Sequence, residues 1–283
     1  MSGWSALRIK ALLALLFLAT APNAARAQEA ADRWQYKVQL YLWVPGVDGK
    51  TTFQPSSGSP GGVGASVDLS DFFAFSNLQG LFMAGFEVRN GRWGAFTDFI
   101  YVDYDETKSG TRDLSLSTGP GKLIQIPADA SADVNLRLRG REWSVAGTYA
   151  AIQSPQLEMH VLGAFRYLEI EPSVSWRLSG NLAALPPQSS SGSLTVKPDY
   201  LDAIVGVRGR VRVGQGNWFV PYHFDIGTGE SDLTWQALAG IGYSIGSFEI
   251  LGIYRHVAYN FASSSPVSDL SFSGPAVSVA YNW

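Results

Sequence analysis

Tyr200-Leu-Asp-Ala-Ile-Val-Gly-Val-Arg-Gly-Arg-Val-Arg-Val213 carries two opposed rows of side chains. Leu201, Ala203, Val205, Val207, Val211 and Val213 form one row; Tyr200, Asp202, Arg208, Arg210 and Arg212 form the other. Successive side chains of a strand point to opposite faces, so this stretch is an apolar wall backed by charge. A soluble sandwich also alternates, but its polar face meets water and carries dispersed Lys, Glu and Ser. Here Arg dominates the polar row. Across the chain Arg outnumbers Lys by 15 to 6. An apolar face toward lipid and a charged face toward a lumen is the pattern of a membrane barrel.

The same reading extends in both directions. Trp34, Tyr36, Val38, Leu40, Leu42 and Val44 oppose Gln35, Lys37, Gln39, Tyr41 and Trp43. Phe82, Ala84, Phe86 and Val88 oppose Glu87 and Arg89, and Asn90-Gly91 then signals a tight hairpin, because its type I′ turn needs positive φ at both positions. A third strand over roughly 92–104 sets Trp93, Ala95, Phe99 and Tyr101 against Asp98. A fourth begins near Asp133 and sets Val134, Leu136 and Leu138 against Asn135, Arg137, Arg139 and Arg141. Its phase is ambiguous beyond Gly140, where a β-bulge is expected. Leu157, Met159, Val161, Phe165 and Tyr167 oppose Glu158, His160 and Arg166. After Val213 come strands near 218–226 (with His223 and Asp225 on the polar face), 233–245 (preceded by Asp232), 248–261 (with Glu249 and Arg255) and 269–283.

That pattern predicts an all-β, antiparallel, up-and-down transmembrane barrel of about ten strands, with eight and twelve left open. Short turns fall at 90–91, 151–155, 214–216 and 246–247; long connections fall at 46–78, 105–132 and 172–199. An outer-membrane barrel has short periplasmic turns and longer external loops, and an even strand number places both termini with the short turns. The segment 54–66 is rich in Pro, Gly and Ser and reads as an external loop, and 67–77 as a short helix over the mouth.

Residues 1–27 read as a cleaved signal peptide, with Arg8 and Lys10, an apolar run over 11–21 and an Ala25-Arg26-Ala27 cleavage pattern. The barrel domain is then 28–283. Residues 1–27 hold three of the 21 basic side chains and none of the 24 acidic ones, so the formal charge falls from −3 to −6. That acidity excludes a nucleic-acid footprint. Cysteine is absent, so no disulfide framework stabilises the fold.

The last strand, Val277-x-Val279-x-Tyr281-x-Trp283, resembles the C-terminal signal of Gram-negative outer-membrane proteins, though it ends in Trp where those end mostly in Phe. The resemblance implies that the barrel-assembly machinery reads Val279, Tyr281 and Trp283. Trp218 to Gly227 with Ser231 to Gln236, together with Tyr41 to Gly46 and Gly163 to Tyr167, resembles a family of small, mostly uncharacterised outer-membrane barrels. The resemblance is to OmpA/OmpW-like barrels and implies one without a periplasmic domain. That resemblance implies fold and an outer-membrane location, with lipid and lipopolysaccharide as partners; it brings no activity.

The residues expected to line the lumen are Arg137, Arg139, Arg141, Arg166, Asp202, Arg208, Arg210, Arg212, His223, Asp225, Asp232 and Arg255. Arg suits a lumen because its planar fork pairs with carboxylates bidentately. Two readings follow: a salt-bridge network that holds the barrel, or a narrow anion-favouring pore. His223-x-Asp225 is the most enzyme-like pair, since an Asp can orient a His that activates water. There is no GxSxG, HExxH or Ser-His-Asp set beside it. No metal or cofactor is expected. The expectation is a structural barrel or passive pore rather than an enzyme, with surface hydrolase or loop-mediated adhesion as alternatives.

Overall fold

Three residues separate Gln153, the last residue of one 23-residue strand, from Leu157, the first of another, and this hairpin forms the tallest part of the wall. The computed structural model describes residues 33–53, 64–68, 78–109, 116–117, 123–124, 131–179, 191–261 and 267–283. The expected signal peptide, most of segment 54–66 and most of the expected helix over 67–77 lie outside the described residues.

The strands are β1 (Trp34–Trp43), β2 (Gly46–Phe53), β3 (Gly64–Asp68), β4 (Leu78–Asn90), β5 (Trp93–Ser109), β6 (Leu116–Ser117), β7 (Leu123–Ile124), β8 (Ser131–Gln153), β9 (Leu157–Ser179), β10 (Ser191–Thr195), β11 (Asp199–Arg212), β12 (Trp218–Gly229), β13 (Leu233–Ile245), β14 (Phe248–Asn260) and β15 (Val267–Asn282). Ten of them form a ring in the order β1-β4-β5-β8-β9-β11-β12-β13-β14-β15, closed by antiparallel pairing of β1 with β15. Every pairing is antiparallel, and no helix occurs among the described residues. Closure leaves the ring without a free edge.

The connections expected as long loops are partly strand. β2 continues the wall beyond β1, pairing with β15 from Val267 to Ser273, after a break at Val44-Pro45 where proline has no N–H to give. β3, β6 and β7 extend that sheet, and β10 pairs with β9. Val67 and Asp68 are strand residues of β3, not the start of a helix. The short turns at Gly91, Gly214 and Gly246 hold glycine at φ of 59°, 65° and 59°, a region closed to most side chains.

Around the ring the outer surface over the lower strands is apolar: Leu40, Phe82, Phe165, Val205, Phe224, Ile241, Ile250 and Val277 are exposed. Trp34, Trp93, Trp218, Phe248 and Trp283 mark its short-turn end. Apolar outside and polar inside is the arrangement that hydrocarbon selects in a closed barrel.

Above this belt the arrangement inverts without any change of register. On β8, the inward row is Val134, Leu136 and Leu138 at the top and Glu142 and Ser144 below, all buried. The outward row is Arg137, Arg139 and Arg141 at the top and Trp143 and Val145 below. Pairing runs unbroken through Gly140, which faces Val102 on one side and Ile170 on the other. The expected bulge at Gly140 is therefore absent. The irregularity lies at Ala151, between Ala150 and Ile152. What changes at Gly140 is the character of the outer face, charged above and apolar below; a strand in water turns polar groups outward, and one in hydrocarbon turns them inward. The inward apolar row meets Trp43, Val47, Ile170, Trp176, Tyr259 and Leu270 in a packed upper core.

Candidate functional site in the barrel lumen

Beneath the apolar core the inward rows bring charges together in two tiers. The tier nearer the short turns starts from Lys37 on β1. Its Nζ lies 2.6 Å from Glu249 Oε2 on β14. Arg210 on β11 reaches the other Glu249 oxygen at 2.7 Å and Glu158 on β9 at 2.9 Å. Arg208 pairs with Glu87 at 3.2 Å, and Arg89 approaches His160 Nε2 at 3.2 Å.

The second tier centres on two buried arginines. Arg166 on β9 donates through Nη2 to both oxygens of Asp225 on β12, at 2.9 and 2.8 Å, and through Nη1 to Thr234 on β13 at 3.2 Å. The Arg166 side chain is 2% exposed and that of Asp225 is 0% exposed. His223 Nε2 sits 2.6 Å from Asp225 Oδ2, with the ring edge-on to Phe96. Arg255 on β14 spreads its fork over four partners: Gln236 at 2.9 Å, Asp98 at 3.1 Å, Tyr41 at 3.2 Å and Glu142 at 2.9 Å. Tyr259 donates to the second Glu142 oxygen at 2.8 Å, and Tyr41 to Asp98 at 2.8 Å. Within these two tiers each buried charge has an opposite partner, although Arg166 Nε and Arg210 Nε are left without a hydrogen bond, and the pairing offsets a desolvation cost of several kcal/mol per ion.

Among the described residues the tiers enclose separate small cavities. A cavity of about 110 Å³ lies among Asp98, Arg166, Arg208, His223, Asp225 and Arg255. One of about 150 Å³ lies among Glu87, Arg89, Glu158, His160 and Arg208. A wider vestibule of about 570 Å³ faces the short turns and is bordered by Arg89, Arg210, Arg212 and Glu249.

Of the residues expected in the lumen, Arg166, Arg208, Arg210, His223, Asp225 and Arg255 lie in these tiers. Asp202 points inward at the far end of β11 and is buried, accepting from the Ser231 amide at 2.9 Å and the Ser231 hydroxyl at 2.5 Å. Arg212 borders the vestibule. Arg137, Arg139, Arg141 and Asp232 are not in the lumen. The three arginines stand on the outer wall above the apolar belt. Asp232 is exposed in the turn between β12 and β13. Glu142, Tyr259 and Tyr41 complete the second tier. Glu142 escaped sequence reading because its row begins as apolar Val134, Leu136 and Leu138; continuing that alternation through Gly140 puts it on their face, the face that its apolar residues alone would give to lipid.

Among the described residues the hydrogen-bond partner of His223 is Asp225, whose two oxygens also hold Arg166. His160 lies in the lower tier, and His256 faces outward against Trp235 with its Nδ1 on Ser273.

No family model and no curated protein matches the sequence. Among solved structures the chain is similar to the outer membrane protease OmpT from Escherichia coli, at 10% identity and TM-score 0.48 over 89% of this chain and 97% of that one. It is also similar to the translocator domain of autotransporter NalP from Neisseria meningitidis, at 15% identity and TM-score 0.36 over 98% and 94%. A third similarity is to a Pseudomonas aeruginosa FadL homologue, at 8% identity and TM-score 0.27 over 89% and 90%. Likeness at these levels carries no statement about activity.

Proposed function

We propose that this chain is an outer-membrane β-barrel with a filled, non-conducting lumen, and that its role is structural rather than catalytic. The apolar belt, the aromatic residues at its short-turn end and the closed ring support the membrane assignment. The long-strand end, carrying β2, β3 and β10, is the external end. One observation carries the closed lumen. Arg255 on β14 bonds Glu142 on β8, and four strands lie between β14 and β8 in either direction around the ring. The bond therefore crosses the full width of the lumen, under a packed apolar core.

Planar-bilayer recording of refolded protein tests this. Silence is expected from the wild type, and discrete steps from a variant with both Arg166 and Arg255 changed to Ser. Discrete, ion-selective steps from the wild type would overturn the closed lumen in favour of a narrow pore. A hydrolytic activity that disappears in His223→Ala, with the barrel intact, would favour an enzyme instead.

A further inference from the structure

The outer wall of β5, β8 and β9 changes character within one step of the strands. At one level Phe99, Trp143 and Tyr167 stand side by side, with Leu201 of β11 next to Tyr167. One pair higher the row is Tyr101, Arg141 and Glu169; the next is Asp103, Arg139 and Glu171; the next is Asp105, Arg137 and Ser173. Outward residues two apart on a strand are separated by about 6.8 Å. The arginines thus climb the wall at that spacing, starting directly above an aromatic row. Aromatic rows of this kind sit at the headgroup level of a bilayer.

These guanidinium groups are held in place and still accessible. Arg137 binds Asp103 through Nε at 2.9 Å and Nη2 at 2.7 Å, and Arg139 binds it through Nε at 3.3 Å. Arg141 uses Nη1 alone, 3.2 Å from Glu169. Lys197 stands 3.6 Å from Glu169 and 3.7 Å from Glu171. The side chains of Arg141 and Lys197 are 53% and 54% exposed. The carboxylates hold the cations, and the half-exposed Arg141 keeps donors beyond its bond to Glu169.

We propose that Arg137, Arg139, Arg141 and Lys197 form a binding site for the phosphate groups of lipopolysaccharide on the lipid-facing wall. The proposal rests on the outer-membrane reading, with the long strands external. Lipopolysaccharide supplies that leaflet with phosphorylated glucosamine at headgroup depth, one step above Trp143, and its acyl chains would lie along Val145, Phe165 and Val205. Arginine matches phosphate oxygens bidentately, and cations placed next to an anionic lipid surface contribute about 1 kcal/mol each.

The test measures lipopolysaccharide retained by the purified full chain in detergent, by mass spectrometry, for the wild type, for the triple variant Arg137→Gln/Arg139→Gln/Arg141→Gln, and for Arg212→Gln at the opposite mouth. The triple variant should bind roughly a hundred-fold more weakly, since three contacts of that size sum to about 3 kcal/mol and each step of about 1.4 kcal/mol is tenfold, while far-UV circular dichroism shows the barrel still folded. Arg212→Gln should retain wild-type amounts. Bisphosphorylated lipid A should rebind and dephosphorylated lipid A should not, while excess inorganic phosphate should compete poorly because it lacks the acyl chains. Equal retention by the triple variant and wild type, or rebinding of both lipid A forms alike, would overturn the site. Membrane fractionation separates the two levels of inference. A chain that fractionates away from the outer membrane defeats the underlying reading; one that fractionates with it but retains lipid without these arginines defeats the site alone.

Discussion

Glu142 accepts from Arg255 at 2.9 Å with one oxygen and from Tyr259 at 2.8 Å with the other, joining β8 to the opposite wall of the barrel. No neighbouring pair of strands can supply such a bond. It links elements that the hydrogen-bond ladder never brings together, so it resists flattening of the ring as well as passage through it.

Glu142→Leu removes that tie and leaves Arg255, which is buried, with Asp98 as its remaining carboxylate. Removing one partner of a buried pair costs about 3–5 kcal/mol. Urea unfolding of the lipid-embedded barrel, followed by tryptophan fluorescence, should show a loss of that order. A loss below about 1 kcal/mol, the size typical of exposed pairs, would mean that the crossing bond contributes little.

Asp225 and His223 should separate sharply. Asp225→Ala strands the Arg166 guanidinium in the lumen and should also cost about 3–5 kcal/mol. His223→Gln keeps a donor near Asp225 and leaves the Arg166 pair intact, so its cost should stay near that of one hydrogen bond, about 1 kcal/mol. Comparable unfolding midpoints for the two variants would contradict the view that Arg166–Asp225 is the structural pair.

Two glycines on neighbouring strands predict opposite outcomes. A Cβ at Gly209 would lie 2.0 Å from the Glu158 carbonyl oxygen and 2.7 Å from the Tyr222 hydroxyl, which crosses that glycine to donate to the same carbonyl at 3.1 Å. Gly209→Ala should cost about 1–3 kcal/mol by overpacking. A Cβ at Gly163 meets nothing within 4 Å, so Gly163→Ala should be neutral or stabilise by about 0.4–1 kcal/mol through the unfolded chain. Unfolding curves of the two variants give the comparison directly.

The hairpin between β13 and β14 turns on Gly246 at φ 59°. Gly246→Ala forces a Cβ into the left-handed region at a cost of about 1–2 kcal/mol, and Gly246→Asn should cost less, because Asn tolerates that region. Equal refolding yields and midpoints for the two would argue against backbone conformation as the reason for glycine there.

The Tyr200–Val213 stretch was legible as a barrel strand from its alternation together with its arginine-rich polar row, and the tight turns at Gly91, Gly214 and Gly246 followed from their residue types. Ten strands and their antiparallel order were legible because each carries the same period-two pattern between turn signals. The pattern failed where it should, on β8. Arg137, Arg139 and Arg141 alternate with Leu136 and Leu138 as cleanly as Arg208 alternates with Val207, yet the first set faces outward and the second inward.

Alternation by itself determined that two faces exist and which residues share each one. It could not say which face meets the lumen, because that depends on whether water or hydrocarbon lies outside the wall at a given height. Nor could it pair Arg255 with Glu142 or Arg166 with Asp225. Those partners come from strands that never touch, and only closure and stagger of the ring bring them within hydrogen-bond reach. The period of the chain set the faces; the closed barrel decided which face of each strand turns inward, and with it the role of each arginine.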